Sequence, residues 1–191
     1  MKGAMTMQNH TFQPVYDENS RVLILGSFPS VKSRERNFYY GHPQNRFWKV
    51  MAYLTDWPVP ETIEEKKQLL LANGIAIWDV IASCEIEGSS DSSIRNVTVC
   101  DLNRVLQSAP IGKIFANGAA AAKLYERHQK ALTGMDIVTL PSTSPANAAW
   151  NLQRLCQDWD VVRSEIKGPA VGAAAWDLTE NTGKGEHHHG R

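Results

Sequence analysis

Val22-Leu23-Ile24-Leu25-Gly26-Ser27-Phe28-Pro29-Ser30 opens on four consecutive apolar residues and closes on a glycine-led turn, and this nonapeptide decides the fold class. A run that is apolar at every position, rather than at every second one, suits a strand covered on both faces, as in a parallel sheet. Gly26 allows a close approach of other backbone or of a ligand. Pro29 stiffens the turn and removes one donor, and the remaining N–H groups can cradle an anion or the edge of a base. Open α/β sheets bind their ligands at such strand ends.

Further along the chain, similar runs recur at Ile75-Ala76-Ile77-Trp78-Asp79-Val80, Ile111-Gly112-Lys113-Ile114-Phe115-Ala116 and Asp136-Ile137-Val138-Thr139-Leu140, each separated by helix-like sequence. The alternation predicts an α/β fold, a three-layer α/β/α sandwich with a central, mostly parallel four-stranded sheet. The spacing predicts a first helix that begins at Pro43, carries Phe47, Val50, Met51 and Leu54 on one face and holds Asn45 in its opening turn. A second follows Pro60, turns Glu64, Glu65, Lys66 and Lys67 outward and Leu69, Leu70 and Leu71 inward, and stops near Gly74. Asp101 is a candidate cap for a short helix through Leu102, Val105 and Leu106, and residues 119–132 are helix-prone. Ser144-Pro145 reads as the start of the last helix, with Ala149, Leu152, Cys156, Trp159 and Ile166 on its inner face and its end near Lys167.

The chain has 191 residues, 42% of them hydrophobic, which suffices for one core. The division expected is an N-terminal arm over 1–20, one α/β domain over 21–167 and a disordered tail over 168–191, where glycine and alanine give way to GKGEHHHGR. His187-His188-His189 in such a tail has no preorganised geometry, so neither a metal nor another cofactor is expected. Twenty Lys and Arg balance twenty Asp and Glu, which excludes a cationic surface as the basis of any nucleic-acid binding and leaves only a local patch. Such a patch lies between Val31 and Lys49: Lys32, Arg34, Arg36, Arg46 and Lys49 face only Glu35, with Phe38, Tyr39, Tyr40, Phe47 and Trp48 interleaved. Two readings are open here, phosphate contacts with stacking surfaces or a solvated loop whose aromatics belong to the core.

Cys84, Cys100 and Cys156 lack paired short spacing and read as buried free thiols in a reducing compartment. Residues 1–16 have no apolar signal core and no stretch is long enough to span a bilayer, so a cytoplasmic monomer without a membrane partner is expected.

GSFPS, the segment from Trp78 to Arg95 with DSSIRN, and LPSTSPANA all fall at carboxyl ends of expected strands, which share one edge of a parallel sheet. With YYGHPQNRFW, this pattern resembles the uracil-DNA glycosylase superfamily over about Arg21 to Lys167, and most of all its hypoxanthine-DNA glycosylase (DNA-deoxyinosine glycosylase) branch. The resemblance implies hydrolysis of the N-glycosidic bond of a flipped, deaminated base in double-stranded DNA, with no cofactor, in base excision repair. Many members carry Asp or Asn third in the first turn, where Phe28 stands here. The branch pattern transfers the catalytic role to Asn45. It also implies a base pocket of Gly26, Ser27, Phe28, Pro29, Ser30, Tyr40 and His42, and a DNA-binding loop of Ser142, Thr143, Ser144, Pro145, Ala146 and Asn147. Lys32 and Arg46 are the expected phosphate contacts. Leu140 replaces the His or Asn that assists the leaving base in some relatives, and the loop lacks a bulky wedge.

On residue chemistry alone, Asn45 suits the decoration of a helix start better than catalysis, and Asp79, Asp91 and Arg95 are candidates to line the pocket that read more simply as caps or a structural pair, with no catalytic role assigned. HPQNRFWKV is also similar to mismatch-specific uracil/thymine-DNA glycosylases, a reading that Phe28 opposes. A non-catalytic lesion-DNA binding protein on the same scaffold is the remaining alternative. No Walker or GxGxxG pattern favours a nucleotide site, and the three strand-end motifs carry no lysine for a Schiff base, which points to a monofunctional enzyme.

Overall fold

The computed structural model describes residues 4–167. The first half runs β1 (Thr6–Asn9), β2 (Val22–Gly26), α1 (Val31–Arg36), α2 (Phe47–Thr55), α3 (Ile63–Ala72), β3 (Ile75–Asp79) and β4 (Ile81–Ile86). The second continues with β5 (Arg95–Val99), α4 (Asn103–Leu106), β6 (Lys113–Asn117), α5 (Ala119–His128), α6 (Lys130–Thr133), β7 (Ile137–Leu140), α7 (Leu152–Trp159) and α8 (Val161–Lys167).

Four strands form the expected parallel sheet in the order β3-β2-β6-β7. Every residue of β2 and β3 is buried, so both faces of the sheet are covered. The helices α3, α5 and α8 pack on its strands. The register sets Gly26 beside Asp79 and Asn117 beside Leu140, which brings all four carboxyl ends to one edge.

A second sheet, β1-β4-β5, is antiparallel and was not anticipated. The expected strand at 75–80 ends at Asp79, and the chain turns through Val80 into β4 while Val80 N and Ile81 N donate to the carbonyls of Gly26 (2.9 Å) and Ser27 (3.1 Å). Residues ahead of Arg21 are woven into the fold. Phe12 and Val15 are buried, and Val15 and Ile77 exchange both backbone hydrogen bonds, at 3.0 and 2.9 Å. That bridge covers the free edge of β3, which would otherwise be open to pairing.

Two helices start later than their sequence signals. Asn45 N donates to His42 O (2.9 Å) and Arg46 N to Thr143 O (3.1 Å), so 42–46 is a turn and α2 begins at Phe47 instead of Pro43. The last helix begins at Leu152 rather than at Ser144-Pro145, because the carbonyls of Ser144, Asn147 and Trp150 accept from the Arg46 guanidinium. Asn151 caps it instead, its side chain accepting from Arg154 N at 2.9 Å. Ala149 and Leu152 are thus exposed, while Leu155, Cys156 and Trp159 face the core. The α3 start carries a capping box between Thr62 and Glu65, and its end leads through Gly74 as expected. The helix-prone stretch at 119–132 is divided at Gln129, whose buried amide donates to Val80 O (3.2 Å) and Cys100 O (2.7 Å).

All three cysteines are buried free thiols. Among the described residues no helix is long and apolar enough to cross a membrane, and no group of three His, Cys, Asp or Glu could hold a metal ion. The tail and its histidine triplet lie outside the described residues.

Candidate active site

At the edge where the parallel strands end, a cavity of about 140 Å³ opens to solvent. Its walls come from the Gly26–Ser30 turn, from Tyr39, Tyr40 and Asn45, from Asp79 and Asp91, and from Asn117 and Ser142–Ser144. Six of the seven expected pocket residues, Gly26, Ser27, Phe28, Pro29, Ser30 and Tyr40, line it. His42 does not. It lies in the turn ahead of α2, where its Nδ1 accepts from Gln44 N at 3.1 Å, a local bond that suits a turn residue. From the expected DNA-binding loop, Ser142, Thr143 and Ser144 reach this cavity, while Ala146 and Asn147 line a shallower cleft beside it with Trp150. Pro145 lines neither.

Asn45 is held by its oxygen. Its Oδ1 accepts from Phe47 N at 2.9 Å and from Thr143 Oγ1 at 2.8 Å. A backbone N–H can only donate, so the polarity of the first bond identifies the atom as oxygen and sets the amide orientation. Thr143, fully buried, accepts in turn from Asn117 Nδ2 (3.0 Å) and donates its own N–H to Asn117 Oδ1 (3.0 Å). The relay Asn117→Thr143→Asn45 therefore joins the end of β6, the loop after β7 and the turn before α2. With both carbonyl lone pairs used, the Asn45 Nδ2 hydrogens are what the amide offers.

Arg46 departs from its expected role. Its guanidinium donates to the carbonyls of Thr143 (3.3 Å), Ser144 (2.7 Å), Asn147 (3.3 Å) and Trp150, so its donors bind the loop internally and are not offered to phosphate. The planar fork suits this fan of carbonyls, and the consequence is a fixed loop beside the cavity. Trp159 adds to it by donating from Nε1 to Pro141 O at 2.9 Å. Lys32, in contrast, is half-exposed and among the described residues pairs with the exposed Glu35 at 3.2 Å. Phe28 lines the cavity with the Arg34 guanidinium 5.4 Å from its ring centre, and Tyr40 already stacks one face on Phe47 at 3.9 Å. Most of the aromatics of this segment, Phe38, Tyr39, Phe47 and Trp48 among them, are core.

Four polar residues stand at the cavity or behind it: His10 and Asn117 had no role in the sequence reading, and Asp79 and Asp91 had none in catalysis. Asp79 is buried at the end of β3, and its Oδ2 accepts from His10 Nε2 at 2.7 Å. His10, equally buried, comes from the segment expected to be an arm. Asn117 ends β6, and the strand-end argument applied to Asn117-Gly118 would have found it, whereas nothing local signals His10. Asp91 accepts from Ser27 Oγ at 2.6 Å, and its carboxyl is held above the usual carboxylate range by desolvation and by Asp79, against the pull of the Ser27 bond. Burial, and then Asp79, raises the Tyr39 and Tyr40 phenols far above their ordinary range, which keeps both protonated.

A parallel sheet whose strand ends frame a small polar cavity, with a turn after the first strand and a fixed loop after the last, is the arrangement of a ligand-binding open α/β fold. The chain belongs to the uracil DNA glycosylase superfamily, whose profile matches residues 13–164. It is 33% identical over 152 residues to a hypoxanthine DNA glycosylase of Methanosarcina acetivorans, covering 79% of this chain and 95% of the relative. Over 142 residues it is 31% identical to the hypoxanthine DNA glycosylase of Methanosarcina barkeri, covering 74% of this chain and 89% of that one. Among solved structures, it is similar to the solution NMR structure of a Methanosarcina acetivorans protein named for the uracil DNA glycosylases. The TM-score is 0.72 and the identity 32%, with 85% of this chain and 99% of that one covered.

Proposed function

We propose that this protein is a monofunctional DNA glycosylase that removes a deaminated base, hypoxanthine first among them, from double-stranded DNA in base excision repair. The observation that carries the reading is Asn45, an amide pinned at its oxygen by two donors on the wall of a cavity large enough for polar recognition and too small for a folded macromolecule. Family membership and the names of two curated relatives support the reaction class and the base.

A base stacked in a duplex cannot present its glycosidic bond, so the nucleotide is rotated out into the cavity at a cost of a few kcal/mol. The C1′–N9 bond then breaks with its electron pair leaving on the purine, which takes up a proton. Water adds to C1′ and gives up a proton in turn. The sugar passes through a cationic state, so the water needs position more than activation. Asn45 supplies position: its Nδ2 donates to one lone pair of the water and leaves the other for C1′. Phe28 cannot perform this task, which explains how the first turn dispenses with a carboxylate.

The test is single-turnover cleavage of end-labelled duplexes carrying hypoxanthine, uracil, xanthine or a G·T mismatch, with alkali to reveal abasic sites. Asn45→Ala is expected to lose on the order of a hundred- to a thousandfold in rate while still binding lesion DNA. An undiminished rate in that variant ends the assignment. Product confined to uracil or thymine moves the protein to the mismatch branch, and no product at all leaves a lesion-binding protein.

A further inference from the structure

Asp91 is a carboxyl to which the mechanism above gives no task, and it stands where the two openings of the site meet, lining both the cavity and the shallower cleft beside it. The residue is exposed, so solvent protons reach it. Its Oδ1 accepts from Ser27 Oγ at 2.6 Å, which ties the carboxyl to the first turn, and Oδ2 meets no hydrogen-bond donor among the described residues. The loop that carries it is anchored as well, Ser89 Oγ accepting from Val31 N at 2.8 Å. Among the described residues no cation pairs with Asp91: the Arg34 guanidinium donates instead to the carbonyls of Pro29 (2.6 Å) and Gly88 (3.2 Å). Desolvation raises the Asp91 carboxyl above the usual carboxylate range, the Ser27 bond opposes this and Asp79 adds to it. A carboxyl in such a setting suits the carrying of a proton more than the holding of a fixed charge.

The reaction calls for that proton. A purine leaves as a neutral molecule only if a ring nitrogen is protonated as C1′–N9 breaks, and Leu140, apolar and buried, stands at the position from which some relatives assist the base. The two polar side chains also sit on different walls. Asn45 is tied through Thr143 to the loop after β7 and Asp91 through Ser27 to the turn after β2, and β6 separates those strands in the order β3-β2-β6-β7. Water has to meet C1′ on the face opposite the departing base, so a group that positions water and an acid that serves the base belong on separate sides of the scissile bond.

Resting on the glycosylase reading above, we propose that Asp91 is the catalytic acid, its Oδ2–H protonating N7 of the extruded purine as C1′–N9 breaks and the bonding pair passes to the base. The purine leaves neutral and Asp91 is left as a carboxylate. The water held by Asn45 adds to C1′ and releases a proton to solvent, and Asp91 takes a proton back through the open mouth of the cavity. A pyrimidine has no nitrogen equivalent to N7, so the same carboxyl favours deaminated purines over uracil.

Asp91→Asn keeps an oxygen for Ser27 and removes the transferable proton. Single-turnover excision of hypoxanthine is expected to fall about a hundredfold and the hypoxanthine-to-uracil ratio to drop, with affinity for a duplex carrying a tetrahydrofuran residue unchanged. The pH profile separates an acid from a structural group. The wild-type rate should decline about tenfold per pH unit once the acid is ionised, and the Asp91→Asn rate should be flat over the same range. The other titratable or charged groups around Asp91 are Asp79 with its partner His10, Tyr40 on the cavity wall, Cys84 of β4, Arg34 of α1, and Glu87 and Arg95 flanking its own loop. A slope that persists in the variant belongs to one of those groups and overturns the proposal. A duplex with 7-deazahypoxanthine removes the acceptor of the proton instead: wild type should excise it about as slowly as Asp91→Asn excises hypoxanthine, and the variant should lose nothing more on it. Full wild-type excision of that base overturns the proposal, as does an undiminished rate in Asp91→Asn or a fall matched by weaker tetrahydrofuran binding. A wild type that excises no base sinks the glycosylase reading and this proposal together, whereas an active wild type with a pH-independent rate sinks the proposal alone.

Discussion

Replacing Thr143 by valine removes a single hydroxyl at nearly constant volume from the middle of the Asn117→Thr143→Asn45 relay. Thr143 is fully buried, so no water replaces the lost group. Asn117 Nδ2 loses the acceptor it holds at 3.0 Å, and an orphaned donor at a partly buried site costs about 1–3 kcal/mol of stability. Asn45 Oδ1 loses its 2.8 Å donor and keeps only Phe47 N, at 2.9 Å. One remaining anchor allows the amide to rotate, and a bond worth about 0.5–1.5 kcal/mol corresponds to a roughly three- to tenfold loss of the productive orientation. The single-turnover rate on a hypoxanthine duplex should therefore fall by about tenfold, well short of the loss expected for Asn45→Ala, with duplex affinity unchanged. Thr143→Ser keeps the hydroxyl and should restore most of the rate. In the Asn45→Ala background, Thr143→Val should add nothing, since it acts through the amide. A valine variant with the wild-type rate, or a serine variant as slow as the valine one, would refute the relay.

Lys32 and Arg46 should separate in a salt titration of duplex binding. Lys32→Ala is expected to reduce the slope of log affinity against log salt by about one, whereas Arg46→Ala leaves the slope intact and lowers Tm through the loosened 142–150 loop. Alkaline stability offers a second check. Burial pushes the Cys84 thiol from 9.0 up to about 11, so the folded chain keeps a proton that the unfolded chain releases. The stability that Cys84 contributes is full below about pH 9 and is lost as pH rises towards 11. Denaturant titrations across that window should show a shallower decline in Cys84→Ala, and an identical decline in both proteins would assign the loss to other groups.

The legible part of this protein was whatever local chemistry specifies. Val22 to Leu25, apolar at every position, could only be satisfied by cover on both faces, and the sheet follows from that run and its three counterparts. The Gly26–Ser30 turn and Asn45 were recognisable because a turn and a motif are contiguous in the chain, and the capped start of α3 is written within four residues, Thr62 to Glu65. Features that depend on contact across the chain were not legible. Arg46 read as a phosphate ligand because a cation among aromatics suits DNA, yet its partners lie about a hundred residues further on, at Thr143 to Trp150. The same contacts delay the last helix past its Ser-Pro start, since the Arg46 fan holds 144–150 in successive turns, with Asn147 N on Ser144 O and Trp150 N on Asn147 O, and not in helical register. His10 carried no motif at all, and it became a site residue only because β1 pairs with β4 and delivers its imidazole to Asp79. Hydrogen-bond saturation is likewise a property of the assembled edge. Which atom of Asn45 is pinned, and which donors pin it, follow from groups that meet only when four strand ends close on one another.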